Sequence, residues 1–169
     1  MDERLVEKAH ARGCTVTPTS WIIAALAKDE KLTPFVKEKV KKAEEVHTSA
    51  VQFAAKGGLK ILAGTDPVLP GMHGQNYMEI AHLIKDGLSP LKAWFAATGL
   101  AAIEIDQTDT GEIKPGKRAD LLICKGDVIE KPELLGQGGL IEVIKDGIAY
   151  KGNILQIQQR NFASTVEEY

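Results

Sequence analysis

The stretch from Thr33 to Asp66 constrains the fold more than any other part of this chain. Thr33-Pro34 reads as a cap with proline at the first helical position, and Val36, Val40, Ala43, Ala50, Val51 and Ala54 recur at helical spacing up to Gly57-Gly58. Leu59-Lys60-Ile61-Leu62-Ala63 follows directly, a short, mostly apolar run that suits a buried strand, and Gly64-Thr65-Asp66-Pro67 closes it. The same order comes before. Residues 2–12 read as a helix that Asp2 can cap, with Leu5, Val6 and Ala9 as its apolar stripe and Gly13 as its stop. Cys14 to Thr19 is rich in β-branched residues and extended until Pro18 ends it, and Trp21 to Ala27 reads as helix. Helix, strand, helix, strand favours parallel strands joined by covering helices, because a parallel pair needs a long crossover. The expected class is α/β, a barrel or a doubly wound sheet.

Beyond Asp66 a Gly/Pro-rich loop (67–75) leads to two further helices, one at 76–86 stopped by Gly87 and one opened by Ser89-Pro90 and running to about Thr98. From residue 100 glycines at 111, 116, 126, 136, 138, 139 and 147 cut the chain into short apolar pieces, so the tail reads as largely β. Ala119 to Cys124 is one candidate strand. Ile141 to Tyr150 is a candidate hairpin whose turn is Asp146-Gly147.

Composition narrows the function classes. With 169 residues, 44% hydrophobic and 26% charged, the chain suits one core with at most a small satellite. Its 21 basic and 23 acidic residues are interspersed, which gives no reason to expect a nucleic-acid or membrane-surface partner. Cys14 and Cys124 are far apart and stand beside apolar strand-like sequence; they read as buried thiols in a reducing, cytoplasmic setting. Met1 to Arg12 is charged and helix-like, and no run of about 18 apolar residues follows, so neither a signal peptide nor a transmembrane span is expected.

Asp66 is the residue best placed for chemistry. A carboxylate immediately beyond a buried strand, before an open glycine-rich loop, stands where parallel α/β barrels carry their catalytic groups, and it could take a proton from an attacking water. The local sequence also allows Asp66 simply to cap its turn by bonding its own backbone. His73, in the Gly71-Met72-His73-Gly74 loop that overhangs the same strand end, is a candidate substrate contact. The four histidines, at 10, 47, 73 and 82, form no His-x-His pair, so spacing alone encodes no zinc site. His10 and His47 read as surface residues. Glu79 and His82 stand three apart on a helix, as in carboxylate-bridged metal proteins, but no second such pair exists, and they too read as solvent-exposed.

Three segments taken together, Ile61-Leu62-Ala63-Gly64-Thr65-Asp66, Met78 to Thr98 with Gly87-Leu88-Ser89-Pro90-Leu91-Lys92-Ala93, and Gly111 to Leu121 with Pro115-Gly116-Lys117-Arg118-Ala119-Asp120, resemble the C-terminal region of the amidohydrolase superfamily, in its imidazolonepropionase and prolidase-like branch. The likeness runs from residue 1 to about 152. It implies the C-terminal fragment of a TIM-like (β/α)8 barrel of a metal-dependent hydrolase, with residues 1–105 as its last strands and helices. Residues 106–156 would be part of a small flanking β-sandwich and 157–169 a C-terminal tail. In that family the aspartate after the eighth strand contacts the catalytic metal and activates the attacking water, so the resemblance turns the reading of Asp66 from turn to catalysis. Lys117, Arg118 and Asp120 would hold a turn between sandwich strands.

The family's His-x-His after the first strand, its middle-strand lysine or glutamate, and its fifth- and sixth-strand histidines have no counterpart here. The resemblance therefore implies a divalent metal, zinc by family habit, in the complete enzyme and none held by this chain alone, because one carboxylate cannot replace several histidines. Two readings follow. Either the chain is a piece of an enzyme that hydrolyses C–N bonds in a small cyclic or peptide-like substrate, inactive in isolation, or it is a non-catalytic module whose open strand edges pair with another copy or with the missing barrel half.

Overall fold

The computed structural model describes residues 3–150. Its first half repeats the order read from the sequence: α1 (Glu3–Ala11), β1 (Thr15–Val16), α2 (Ser20–Ala27), α3 (Pro34–Lys56) and β2 (Lys60–Ile61). The strands pair in parallel, Thr15 opposite Lys60 and Val16 opposite Ile61. The Leu62 amide continues the pairing by donating to the Val16 carbonyl at 2.9 Å. Because the strands run the same way, Thr17-Pro18-Thr19 and Leu62 to Asp66 leave at the same end. The long helix α3 supplies the crossover. It begins where the Thr33 hydroxyl accepts the Val36 amide at 3.4 Å, with Pro34 just inside.

Downstream come α4 (Tyr77–Lys85), α5 (Pro90–Ala97), opened by Ser89 in the same way, and α6 (Gly99–Glu104). Sequence reading stops the helical region at Thr98. The chain instead kinks there, Thr98 at φ −129° and ψ −95°, and continues as another helix on which Gly99 and Ala102 are buried, Ala102 beside Gly111. One apolar cluster joins α1, α3, β2, α4 and α5 through Val6, Val51, Ala54, Ile61, Leu83 and Ala93. Leu83 is fully buried, a contribution of about 2 kcal/mol from desolvation alone. A second, smaller cluster packs Trp21 and Ile22 of α2 against Met72 from the loop after β2.

The last part is a three-stranded antiparallel sheet in the order β3 (Leu121–Cys124), β4 (Leu140–Lys145), β5 (Ile148–Tyr150), with a bulge between Ile123 and Cys124. Asp146 and Gly147 both have positive φ, 52° and 78°, the geometry a two-residue hairpin turn needs. Asp120 holds that turn. One of its oxygens accepts the Asp146 amide at 2.8 Å, the other meets the Arg118 guanidinium at 3.0 Å, and the Gly147 amide donates to the Ala119 carbonyl. This is the structural role expected of Arg118 and Asp120. Lys117 instead bonds the Thr108 carbonyl and pairs with Glu112 at 2.9 Å, closing the loop that precedes them. A 3-10 turn at Pro132–Gln137, unforeseen in the sequence, lies between β3 and β4. It meets α4 where the Tyr77 hydroxyl packs on Gly136, a contact that leaves no room for a Cβ. Trp94 of α5 makes a second tie by donating its indole N–H to the Val128 and Ile129 carbonyls at 3.1 and 3.2 Å.

Two burial expectations need correction. Cys14 is exposed, just before a strand that is only two residues long. Cys124 is half-buried, and burial raises its thiol pKa above the ordinary 9.0. The expected tail at 157–169, and the end of the sandwich segment from 151 to 156, lie outside the described residues. Among the described residues no helix is long and apolar enough to cross a membrane.

Candidate active site at the strand ends

The two parallel strands end side by side. A Cβ built on Gly64 would stand 2.5 Å from Thr17 Cγ2, so only glycine lets the chain after β2 pass the chain after β1 at this distance. At each end one non-glycine residue takes a left-handed conformation: Thr19 at φ 54° after β1 and Asp66 at φ 43° after β2. A non-glycine residue held there costs roughly 1–3 kcal/mol and persists only where its surroundings enforce it. The other two such residues, Asp106 and Asp146, sit in turns away from this end.

Asp66 is exposed at this end. Its tight turn is closed by its main chain, the Val68 amide donating to the Asp66 carbonyl at 2.9 Å. No hydrogen bond or ion pair from the described residues reaches its carboxylate. A turn-capping aspartate would spend its side chain on the backbone; this one does not, which leaves both oxygens for a substrate, a water or an ion. His73 is also exposed and stands beside Met72, which is 3% exposed and anchors the loop in the Trp21 cluster. The loop is braced from within by Met72 N–H to the Leu69 carbonyl at 3.2 Å and Gln75 Nε2 to the Gly71 carbonyl at 2.6 Å.

Glu79 and His82 overturn the expectation of exposure. Glu79 is completely buried and accepts the backbone N–H of Ser20 at 2.9 Å and of Trp21 at 2.8 Å, one on each oxygen. It thereby caps α2, whose own cap residue Thr19 makes no side-chain hydrogen bond in its left-handed conformation. Burial pushes the Glu79 carboxyl above its ordinary 4.5, opposed by the two amide bonds, with the nearby Asp86 adding to the rise. His82 is half-buried, and burial first, then Lys85, hold its pKa below the ordinary 6.5. His47, expected at the surface, is half-buried and shares a hydrogen bond with the Ser20 hydroxyl at 3.1 Å. Close by, Thr48 donates to one oxygen of buried Asp86 at 2.9 Å, and the other oxygen has no partner among the described residues. Sequence reading missed this polar seam between α2, α3 and α4; the positions of Ser20, His47 and Glu79 carry no common local pattern that would bring them together.

Asp66 and His73 are both exposed on the segment that follows β2, while Glu79 and His47 meet at Ser20 in the seam between α2, α3 and α4. A groove between α1 and α3, lined by Glu3, Val6, Phe53 and Gly57, lies by the segments that enter the strands and has no part in this arrangement. Among the described residues no three His, Cys, Asp or Glu side chains stand close enough to hold a metal ion. Asp66 alone does not make such a centre, since a divalent ion takes three or more protein ligands in known catalytic sites.

A family model described as the amidohydrolase family matches residues 2–150. Among solved structures, a Xaa-Pro dipeptidase with methionine bound in its active site shares 29% identity at a TM-score of 0.75, over 90% of this chain and 38% of that one. The ochratoxinase of A. niger shares 26% identity at a TM-score of 0.75, over 90% and 36%. Molinate hydrolase, at 18% identity and a TM-score of 0.63, shares the fold over 89% and 35%. This chain thus spans well under half the length of the solved structures it resembles. No curated protein matches the sequence. Because the family model covers residues 2–150, nearly the whole described length, the chain belongs to the amidohydrolase family.

Proposed function

We propose that this chain carries the last two strands, with their helices, of a (β/α)8 hydrolase barrel and part of its flanking β-sandwich, and that it serves hydrolysis of C–N bonds in small amide or dipeptide-like substrates. The observation that carries this reading is the Asp66 carboxylate, exposed at the shared strand end and free of partners among the described residues. Hydrolysis of an amide needs a base to take a proton from the attacking water and an acid to give one to the departing amine. A carboxylate can do both in turn. His73, on the loop beyond it, is suited to contact the substrate. The similarity to a Xaa-Pro dipeptidase and to an ochratoxinase supports a substrate with a C–N bond and room for an amino acid part.

The described residues do not fit a complete metal centre. The divalent ion of the family, zinc by family habit, would need donors beyond the described residues, and the chain alone is proposed to be inactive. The test compares hydrolysis of Xaa-Pro dipeptides by this chain alone with hydrolysis by one polypeptide that also contains the sequence encoded immediately upstream. Activity is expected only in the longer polypeptide. There Asp66→Asn, nearly isosteric but unable to take the proton, should lower kcat by about 10³-fold or more while far-ultraviolet circular dichroism stays unchanged. Retained turnover in Asp66→Asn refutes the role.

A second reading has its own observation: among the described residues both edges of the β1–β2 pair are unpaired, and the β3–β4–β5 sheet exposes Leu122, Ile141 and Ile148 on one face. Such surfaces suit a module that pairs with another copy of itself or with the rest of a barrel.

A further inference from the structure

The loop that presents Asp66 and His73 is attached to the body of the molecule at two places, and both lead to the same target. Met72, within the loop, packs on Trp21 and Ile22. Glu79, in the first turn of the helix the loop enters, accepts the Ser20 and Trp21 amides. The first turn of α2 therefore receives an apolar and a charged attachment from one segment. It also directly follows Thr19, the strained residue at the end of β1.

We propose that Glu79 is a positioning residue that locks the turn after β1 and the loop after β2 into one unit, and so fixes where Asp66 stands. The proposal rests on the reading of Asp66 as the working acid. A helix start is ordinarily capped by the residue just before it, which ties its direction to the preceding strand. Here that residue is turned left-handed and contributes no cap, so α2 takes its cap from α4. The consequence is mechanical: α2 cannot shift on β1 without pulling α4 and the loop that ends at it. Here each oxygen of the carboxylate takes one amide, Oε1 that of Ser20 and Oε2 that of Trp21. A glutamine in the same place offers one acceptor and turns an N–H₂ toward the other amide. A structural cap with no positioning role would need neither the second bond nor the convergence of Met72 on the same turn.

Amide hydrogen exchange on the full 169-residue chain tests this, with the hydrogen-bonded Val68 and Met72 amides as reporters of the loop. Glu79→Gln should accelerate exchange about tenfold both at residues 20–22 and at residues 68–72, while residues 121–124 and 140–145 stay within about twofold. Acceleration confined to residues 20–22 would show a local cap and overturn the proposal; so would equal acceleration over the whole chain, which signals general loosening. Met72→Ala is the second variant, should Glu79→Gln not fold. It is expected to loosen the same two segments together, and loosening of residues 68–72 alone overturns the coupling. Exchange needs no turnover, so the two readings fail separately: an active Asp66→Asn enzyme removes the hydrolase role and leaves the loops coupled, whereas uncoupled loops remove the clamp and leave Asp66 its chemistry.

Discussion

Glu79 is pulled both ways. Burial disfavours its charge, and the two amides of α2 favour it; burial is the larger effect, so the folded carboxyl titrates above 4.5. A carboxyl whose pKa is higher in the folded state binds protons more readily there than in the unfolded chain. Its contribution to stability is therefore greatest below 4.5 and declines as pH rises from there through the raised folded value. His82 has the opposite sense in another window. Its folded pKa lies below 6.5, so its contribution is full above that value and is lost as pH falls through it. Two outcomes are expected from urea unfolding over a pH series. The stability difference between the native chain and Glu79→Gln should shift against the native chain as pH rises above 4.5, and His82→Gln should flatten the decline that the native chain shows below 6.5. A Glu79→Gln difference that grows in favour of the native chain over that rise would mean the amide bonds outweigh burial. At this scale the sequence disclosed Asp66, because strand and aspartate are adjacent in the chain, and the resemblance supplied a role for it. It could not disclose Glu79, whose two partners are 58 and 59 residues away, nor the exposure of Cys14, which stands just before a strand only two residues long.

Elements were legible where their signals are local. Thr33-Pro34 and Ser89-Pro90 each start a helix as their order implies, with the hydroxyl accepting an amide three residues on, and Asp146-Gly147 turns the hairpin at the two positions named for it. The helix α6 and the 3-10 turn at Pro132–Gln137 escaped because glycines at their margins read as punctuation, whereas Gly99 is a helix-starting residue that packs under the Phe95 ring. The parallel pairing of β1 with β2 followed from the long crossover, but its length did not: a run of five residues, four of them apolar, promised a strand, and two form it, with Leu62 and Ala63 bonding onward to Val16 and to the Ala96 carbonyl of α5. What sets the spacing of these strand ends is Gly64 against Thr17. Gly64→Ala should destabilise the fold by about 1–3 kcal/mol by forcing that approach apart. Thr17→Ser removes the offending methyl and should recover most of the loss in the double variant. Thermal unfolding of the four proteins in the cycle measures the coupling, and strict additivity would show that the two ends do not press on each other.

At the scale of the molecule, apolar surface is distributed unlike that of a finished domain. The β3–β4–β5 sheet pairs Leu122 with Val143 and Val143 with Tyr150, so these side chains share one face, and Ile141 and Ile148 lie on that face by the same alternation. Leu122, Ile141 and Ile148 are each about half exposed there. A sheet face of this composition is normally covered by a second layer, and among the described residues the parallel pair β1–β2 is open on both edges. The solved structures it resembles are more than twice as long, so most of each has no counterpart in this chain. The physical cost of leaving them uncovered falls on solubility. Burying apolar area returns roughly 25 cal/mol per Å², so two copies gain by placing these faces together. The chain is therefore expected to self-associate, with a scattering mass that rises with concentration. Leu122→Lys combined with Ile148→Glu should return it toward a single copy, since charges at half-exposed sheet positions make face-to-face contact unfavourable and a glutamate at position 148 would stand opposite Lys145, which keeps the β4–β5 pairing. A native chain that scatters as one copy at high concentration would remove the association reading; association undiminished by the two charged substitutions would move it from this face to the edges of β1 and β2.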